Sequence, residues 1–524
     1  MHPERPLDSL LRRHLSRRSL LAGSLAFFGV RQVRTYAAVP RWALRFQGTP
    51  FALGIASGDP TPDGVVLWTR LAPDPLNGGG MPPAPVPVTW RIARDERLAD
   101  VVQTGSITAR PESAHAVHVE VDGLDPDRWY WYQFESGSEV SPVGRTRTLP
   151  RPGATPDACR FAFASCQHYE TGYYTAYHHM AGEDVDLVFH LGDYIYEGAG
   201  RDDQVRRHAG AEILLLEDYR TRYAQYKTDA DLQAAHAAFP WFVTWDDHEV
   251  DNNYANDVSE HDDQRDEFLI RRAIAYQAYY EHQPLRRTAM PRGPALQLYR
   301  QFRWGDLAAF FVLDTRQYRT DQPCGDGSKA PCEGVSDPAA TLLGADQERW
   351  LFDALDQSRA RWHVLPQQVM MAKVDLTPGD AERYSMDQWS GYDVARTRLL
   401  DFLGTRKPAN PVVLTGDIHS NWVNDLKVDF KDPASPAVAT EFVGTSITSG
   451  GDGSDNARRA ATLMAENPFV RWHNGQRGYV RCDVGRASLD AYYRVVPFVS
   501  KPGAPLTTPA SFVVEDGRPG AVRR

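Results

Sequence analysis

Four separated stretches of this chain share one plan: an apolar, β-like run followed at once by side chains able to bind metal ions. They are Ala164-Ser-Cys166-Gln-His168; Leu187-Val-Phe-His-Leu-Gly192-Asp193-Tyr-Ile-Tyr196-Glu; Phe242-Val-Thr-Trp-Asp246-Asp247-His248-Glu249 with Val250-Asp251-Asn252-Asn253; and Val412-Val-Leu-Thr-Gly416-Asp417-Ile-His419-Ser420-Asn421. Taken singly, Gly-Asp or Asp-Asp is ordinary turn or helix-cap chemistry. Turns do not, however, call for His, Cys or Tyr beside the Asp in strand after strand. In α/β folds ligands gather where strands end at their C-terminal edge. Carboxylates converging there repel one another and stay protonated unless a cation neutralises them. The pattern therefore predicts an α/β fold with a metal cluster at a sheet edge.

The surrounding texture agrees with that class. Strand-like and helix-like stretches alternate after residue 157: Arg160 to Ser165, Leu187 to Leu191, Phe242 to Trp245, Leu307 to Leu313, Trp362 to Leu365 and Pro411 to Thr415 as strands, with Gly172 to Gly182 and Glu217 to Ala238 as helices. Residues 48–149 differ. They run in short β-rich stretches such as Gly64 to Arg70, Val86 to Arg91, Ala116 to Val121 and Trp129 to Phe134, spaced by turns as in a small β-sandwich. Pro150 to Pro156 reads as a linker, 157–515 as the catalytic domain, and the Pro-, Gly-, Ser- and Thr-rich end from Val495 on carries no legible chemistry.

Residues 1–38 have the layout of an export signal. Arg12, Arg13, Arg17 and Arg18 precede the apolar run Leu20 to Val30, and Ser16-Arg-Arg-Ser-Leu-Leu21 resembles a twin-arginine signal. That run is about half the roughly 20 residues that span a bilayer, so no stable membrane span is expected. The predicted partner is the twin-arginine export machinery and the predicted location secreted, periplasmic or in the cell wall. With 58 Lys and Arg against 68 Asp and Glu, the formal charge is -10, the wrong sign for a protein held to nucleic acid by phosphate neutralisation. Of the five cysteines, Cys324 and Cys332 flank a turn-rich segment suited to a disulfide, while Cys159 and Cys482 carry no predicted partner. Cys166 alone would serve equally as a small buried hydrophobe.

The donor set also speaks to the ions. Thiolate, phenolate and imidazole beside carboxylate suit a trivalent or borderline transition ion, whereas Asp and Asn oxygens suit a hard divalent ion. Two ions bridged by a carboxylate can bind a phosphate oxygen and stabilise both attacking and leaving oxygens, which fits hydrolysis of a phosphate ester. His248, one place beyond the candidate ligand Asp247, is suited to protonate the leaving group or to hydrogen-bond phosphoryl oxygens. Arg316, Arg319, Arg471 and His473 are candidate phosphate contacts, since Arg offers a bidentate fork to such oxygens; surface ion pairing would use the arginines equally well. Ser449 to Ser454 is glycine-rich but lacks the context of a nucleotide loop.

At these residues the chain resembles the PhoD-type alkaline phosphatase and phospholipase D family, within the calcineurin-like metallophosphoesterases. Phe51 to Pro60 with Val66 to Arg70 looks like the family's N-terminal β domain. Ala164 to Gln167, His190 to Glu197, Trp245 to Asn253, Asp314 to Arg319 and Gly416 to His419 look like its catalytic domain. The resemblance implies a two-sheet αββα sandwich behind an immunoglobulin- or fibronectin-like β domain. It implies Fe³⁺ held by Cys166, Asp193, Tyr196 and His419, with Asp193 bridging, and one or two Ca²⁺ held by Asp247, Asp417 and Asn252. An Asx turn or helix cap would use Asn252 equally well. Asp247 also joins His248 in the catalytic set. Where the wider pattern carries a His on another strand, this chain has Gln367. The implied activity is phosphomonoesterase and phosphodiesterase, the metals activating the attacking oxygen, with phospholipid or teichoic-acid-like phosphodiesters among the substrates. Two readings compete with it: a phospholipase D acting on lipid head groups, and a non-enzymatic, calcium-binding adhesion module, against which Cys166 and Tyr196 speak.

Overall fold

A computed structural model describes residues 45–524; the export signal read over residues 1–38 lies outside them. Runs in which every residue is buried mark strands covered on both faces. Such runs are Leu187–Leu191 and Pro240–Thr244, which pair in parallel with each other and, through Leu187–Leu191, with Ala158–Ala164. A second parallel set is Ala308–Val312, Trp362–Pro366, Pro411–Thr415 and Ala437–Val443. They lie in a ten-stranded and a seven-stranded sheet respectively.

Alternation within these strands builds the layers. Phe161, Phe163, Phe189, Leu191 and Phe242 of the larger sheet meet Phe310, Val364, Val412, Leu414 and Phe442 of the smaller in one core. The alternate residues Ala162, Val188, Trp241 and Val243 pack outward on Tyr177, Tyr219, Leu232 and Tyr276 of the helices Thr175–Ala181, Leu216–Lys227, Ala230–Ala238 and Arg265–His282. On the far side Phe311, Leu365 and Val413 pack on Leu351, Leu355 and Leu399 of Gly344–Gln357 and Asp393–Arg406. Each buried Leu or Phe contributes roughly 1.5–3 kcal/mol of apolar transfer, so the period-two pattern stabilises both sides of each sheet. The result is the αββα sandwich that the resemblance implies.

The N-terminal β region is a sandwich, but one of its sheets is not its own. Ile55–Thr61, Gly64–Arg70 and Ala116–Asp122 continue the ten-stranded sheet, Ser57 and Gly58 pairing in parallel with Pro240 and Trp241. Gly58 permits this approach, since a Cβ there would lie 2.6 Å from the carbonyl oxygens of Trp241 and Pro284. Val86, Val88, Tyr132 and Phe134 of a separate five-stranded sheet close over Val65, Leu67 and Val119.

Two sequence expectations change. The single helix over Glu217 to Ala238 is two, because Asp229 accepts the N–H groups of Asp231 and Leu232 and caps a new helix. The end of the chain contributes Thr507–Glu515 and Arg518–Arg523 to the edge of the larger sheet, so its strands extend past residue 515. Alternation of Ala510, Phe512 and Val514 into the core explains why, despite the loop-like composition. Cys324 and Cys332 form the expected disulfide, whereas Cys159 and Cys482 are free and buried on adjacent strands. Among the described residues no helix is long and apolar enough to cross a membrane.

Candidate active site

The turns after Ala158–Ala164, Leu187–Leu191 and Pro411–Thr415 bend sharply at candidate ligands. Cys166, Asp193, Asp417 and His419 all adopt the left-handed backbone region, with φ of 59°, 57°, 61° and 55°. Non-glycine residues rarely sit there and do so where the surroundings over-determine them, often at functional sites. The turns are also pressed together: a Cβ on Gly192 would lie 2.4 Å from the Asp246 Cβ, and one on Gly416 2.6 Å from the Ser165 hydroxyl.

The side chains meet in three overlapping groups, the ligand atoms of each lying within 4.8 Å of one another. They are Cys166 with Asp193 and His419, Asp193 with Asp247 and His248, and Asp246 with Asp247 and Asp417. Asp193 and Asp247 each belong to two groups, so the set is continuous. The Tyr196 hydroxyl donates to Asp193 at 2.7 Å, lies 3.3 Å from His419 Nε2, and accepts from Ser449 at 2.7 Å.

Electrostatics show what such a cluster lacks. Burial, aided by neighbouring carboxylates, pushes the Asp193 and Asp246 carboxyls well above the ordinary range, and Asp417 up to about 6. Burial likewise raises the Cys166 thiol and the Tyr196 phenol, each further opposed by the Asp193 charge. Asp247 is held below its usual value because Arg316 and His248 outweigh its burial. Burial, then Arg477, lowers His419 to about 3, which keeps its imidazole neutral and its lone pair available. One oxygen each of Asp193, Asp246 and Asp247 is buried with no hydrogen-bond partner. Orphaned carboxylate oxygens, a neutral imidazole and a thiol at one edge are what bound cations would satisfy.

This architecture has known relatives. Family models described as "PhoD-like phosphatase" and "PhoD-like phosphatase, N-terminal domain" match residues 161–493 and 37–150. The chain belongs to the PhoD-like phosphatase family. It is 54% identical to alkaline phosphatase D of Bacillus subtilis (strain 168) over 483 residues, 91% of this chain and 83% of the relative. A solved structure described as "Structure of PhoD" superposes with a TM-score of 0.89 at 54% identity, covering 92% of this chain and 93% of that one. This PhoD-like phosphatase is an enzyme, a phosphoesterase, and its groups of metal-binding side chains accord with that class.

Several predicted site residues of the PhoD-like phosphatase stand elsewhere. Arg316 is fully buried and forks onto both Asp387 oxygens at 2.7 and 2.8 Å. It also bonds Asp246 and lies 3.7 Å from Asp247 and 4.0 Å from Asp417. Its guanidinium neutralises carboxylates and has no fork left for phosphate. Arg319, equally buried, is held by Tyr392 at 3.1 Å and Asp387 at 3.0 Å, so it is no phosphate contact either. Arg471 pairs with Asp425 away from the cluster. The Asn252 side chain donates to Glu260 at 2.7 Å, and it is the neighbouring Asn253 whose N–H reaches Asp247, at 2.7 Å. His473 does face the site, lining a cleft of about 420 Å³ with His419, Gln388, Trp422, Arg459 and Arg477. Gln367 spends its amide on Val369 and Thr415.

Other residues matter that the sequence reading left unassigned. Asp246 joins the third group although its place before Asp247 could have flagged it. Glu249, in the same motif, accepts backbone N–H groups of Asp193, Tyr194 and Asp246 at 3.0, 2.6 and 2.8 Å and so ties two ligand turns together. Glu197 receives His248 Nδ1 at 2.7 Å. Asp387 and Gln388, the latter donating to Asp417 at 3.0 Å, lie in a loop with no motif to mark them.

Proposed function

We propose that this chain is an exported phosphoric ester hydrolase of the alkaline phosphatase D type, acting on mono- and diesters through iron and calcium. The observation that carries the reading is the position of Asp193, shared by a group holding thiol and imidazole and a group holding carboxylate, with one oxygen free of hydrogen bonds. Cys166, Tyr196, His419 and Asp193 would hold Fe³⁺, a choice favoured by sulfur and phenolate donors. Asp246, Asp247 and Asp417 offer only carboxylate oxygen and would hold Ca²⁺, with Asp193 common to the two ligand groups. Such ions, when bound, supply Lewis-acid polarisation of the phosphoryl group and a nucleophilic water at moderate pH.

The chain's own residues supply the rest. His248 is held by the Glu197 carboxylate at 2.7 Å, a partner that favours its protonated form, so it is poised to donate a proton to a leaving oxygen. Arg316 keeps Asp246 and Asp387 fixed. His473 and Arg477 line the cleft and would contact the organic part of the ester. Arg12 to Val30 favours export by the twin-arginine route.

Elemental analysis with a visible spectrum tests the metal reading. A charge-transfer band and a stoichiometric amount of iron are expected, with calcium; an active, colourless protein containing no iron overturns the assignment. Release of phosphate from a soluble aryl phosphate, set against release of choline from phosphatidylcholine, decides between alkaline phosphatase and phospholipase D.

A further inference from the structure

The disulfide Cys324–Cys332 closes a loop lying at the carboxylate side of the site. Ser328 and Lys329 pair antiparallel with Ser385 and Tyr384, and the Met386 N–H donates to the Gly327 carbonyl at 3.0 Å. Asp326 accepts the Asn253 side-chain amide at 2.6 Å. Just before the loop, the Gln322 amide donates to the Asn253 carbonyl at 2.7 Å and to Asp387 at 2.8 Å.

The two segments held in this way are the ones that hold the carboxylates. Asn253 donates its backbone N–H to Asp247, Gln388 donates its amide to Asp417, and Asp387 anchors Arg316, which lies between Asp247 and Asp417. None of these hydrogen bonds touches Cys166, Tyr196 or His419. Those three are fixed from other directions: Cys166 through its N–H to the Gly192 carbonyl, Tyr196 by Ser449, and His419 through its own carbonyl by Arg477.

The Arg383 guanidinium also donates to the Ser328 carbonyl, and beyond these ties the loop is open. Gly325 and Gly327 adopt positive φ, residues 325–332 are exposed, and the apolar support is a small cluster of Val335, Tyr384 and Met386 against Cys324. A crosslink restricts the open forms such a segment would otherwise sample.

We propose that the disulfide-closed loop 324–332 is a clamp on the carboxylate group: it positions Asp247 and Asp417 through Asn253 and Gln388, and so sets how tightly the second metal position is held. The proposal rests on the metal reading above. Groups that orient ligands from behind typically govern metal affinity by about 10- to 100-fold, so the clamp acts on one ion and leaves the other.

The test uses the full chain carrying Cys324→Ser with Cys332→Ser, and separately Asp326→Ala with the disulfide intact. Iron content is read by elemental analysis, and Ca²⁺ affinity by calorimetric titration after calcium has been removed with a mild chelator. Both variants are expected to keep iron at the ratio of the unsubstituted protein and to bind Ca²⁺ roughly 10- to 100-fold more weakly, the single substitution showing the smaller change. Unchanged Ca²⁺ affinity in Asp326→Ala, or loss of iron and calcium in equal proportion, overturns the clamp. If the double variant does not fold, Asp326→Ala decides alone. An unsubstituted protein that binds neither ion overturns the metal reading itself.

Discussion

His248 Nδ1 lies 2.7 Å from a carboxylate oxygen of Glu197, whose other oxygen accepts the Asn252 N–H at 3.0 Å. The imidazole is therefore oriented by a residue that is itself fixed, and its ring rests on Tyr196 with centroids 4.1 Å apart. An imidazolium has no lone pair for a metal but has a proton for a leaving group. His248→Ala is expected to keep both metals and to lower kcat by about a hundredfold or more, the usual weight of general acid catalysis. Glu197→Gln should fall between the two. Elemental analysis beside steady-state kinetics checks this, and loss of metal in step with rate would place His248 among the ligands.

Asp193 is the residue that two ligand groups share, so its removal should act on both. Asp193→Ala is expected to abolish activity and to strip iron and calcium together, since a bridging carboxylate takes a ligand from each ion when it goes. The measurement is metal content after gel filtration; retention of either ion at full occupancy would show that the bridge is another side chain.

Glu249 accepts three buried backbone N–H groups from two ligand turns. Deleting its carboxylate leaves those donors unpaired, at about 1–3 kcal/mol each before relaxation or water entry. Glu249→Ala should therefore lose several kcal/mol of stability, far more than the ~0.5 kcal/mol of an ordinary surface change. Denaturant unfolding of matched samples measures it, and a loss within that small range would mean water replaces the carboxylate without penalty.

How legible the site is depends on how local its geometry is. Cys166, Asp193, Tyr196, Asp247, Asp417 and His419 can be read because they follow four strands within a few residues, and the packing of the two sheets brings those strand ends together. The offset from Asn252 to Asn253 cannot be read, because the turn after Asp247 decides which amide points back, and the two residues are chemically identical. Arg316 is beyond reach for another reason. Its partners Asp246 and Asp387 are about seventy residues away on either side, and a buried guanidinium among carboxylates looks in sequence like any surface arginine. The fold shows the same division: buried apolar runs announce the sandwich, while the continuation of the N-terminal strands into the catalytic sheet depends on the contact of Gly58 with Trp241, which no periodicity encodes.

Lys227 supplies a stability prediction with a defined pH dependence. Its amine is buried over the faces of Trp68 and Tyr194, 4.3 and 5.0 Å from their centroids, and burial pulls it from 10.5 down to about 7. The histidines close to it, His190, His236 and His282, are all pushed below their ordinary value by burial and then by neighbouring positive charge, so they add no competing charge at neutral pH. Between about pH 7 and 10.5 the unfolded chain binds a proton that the folded chain does not, so stability rises with pH across that window and is lost as pH falls through 7. Lys227→Met removes the buried charge at similar length. It should raise the melting temperature, with a gain on the order of a few kcal/mol at and below neutral pH that shrinks toward about pH 10, the cation–π contacts offsetting part of it. Thermal melts of both proteins at about pH 6 and 10 test the sign; a gain of equal size at both, or a loss at the lower pH, would mean that the aromatic faces stabilise the ammonium more than burial penalises it.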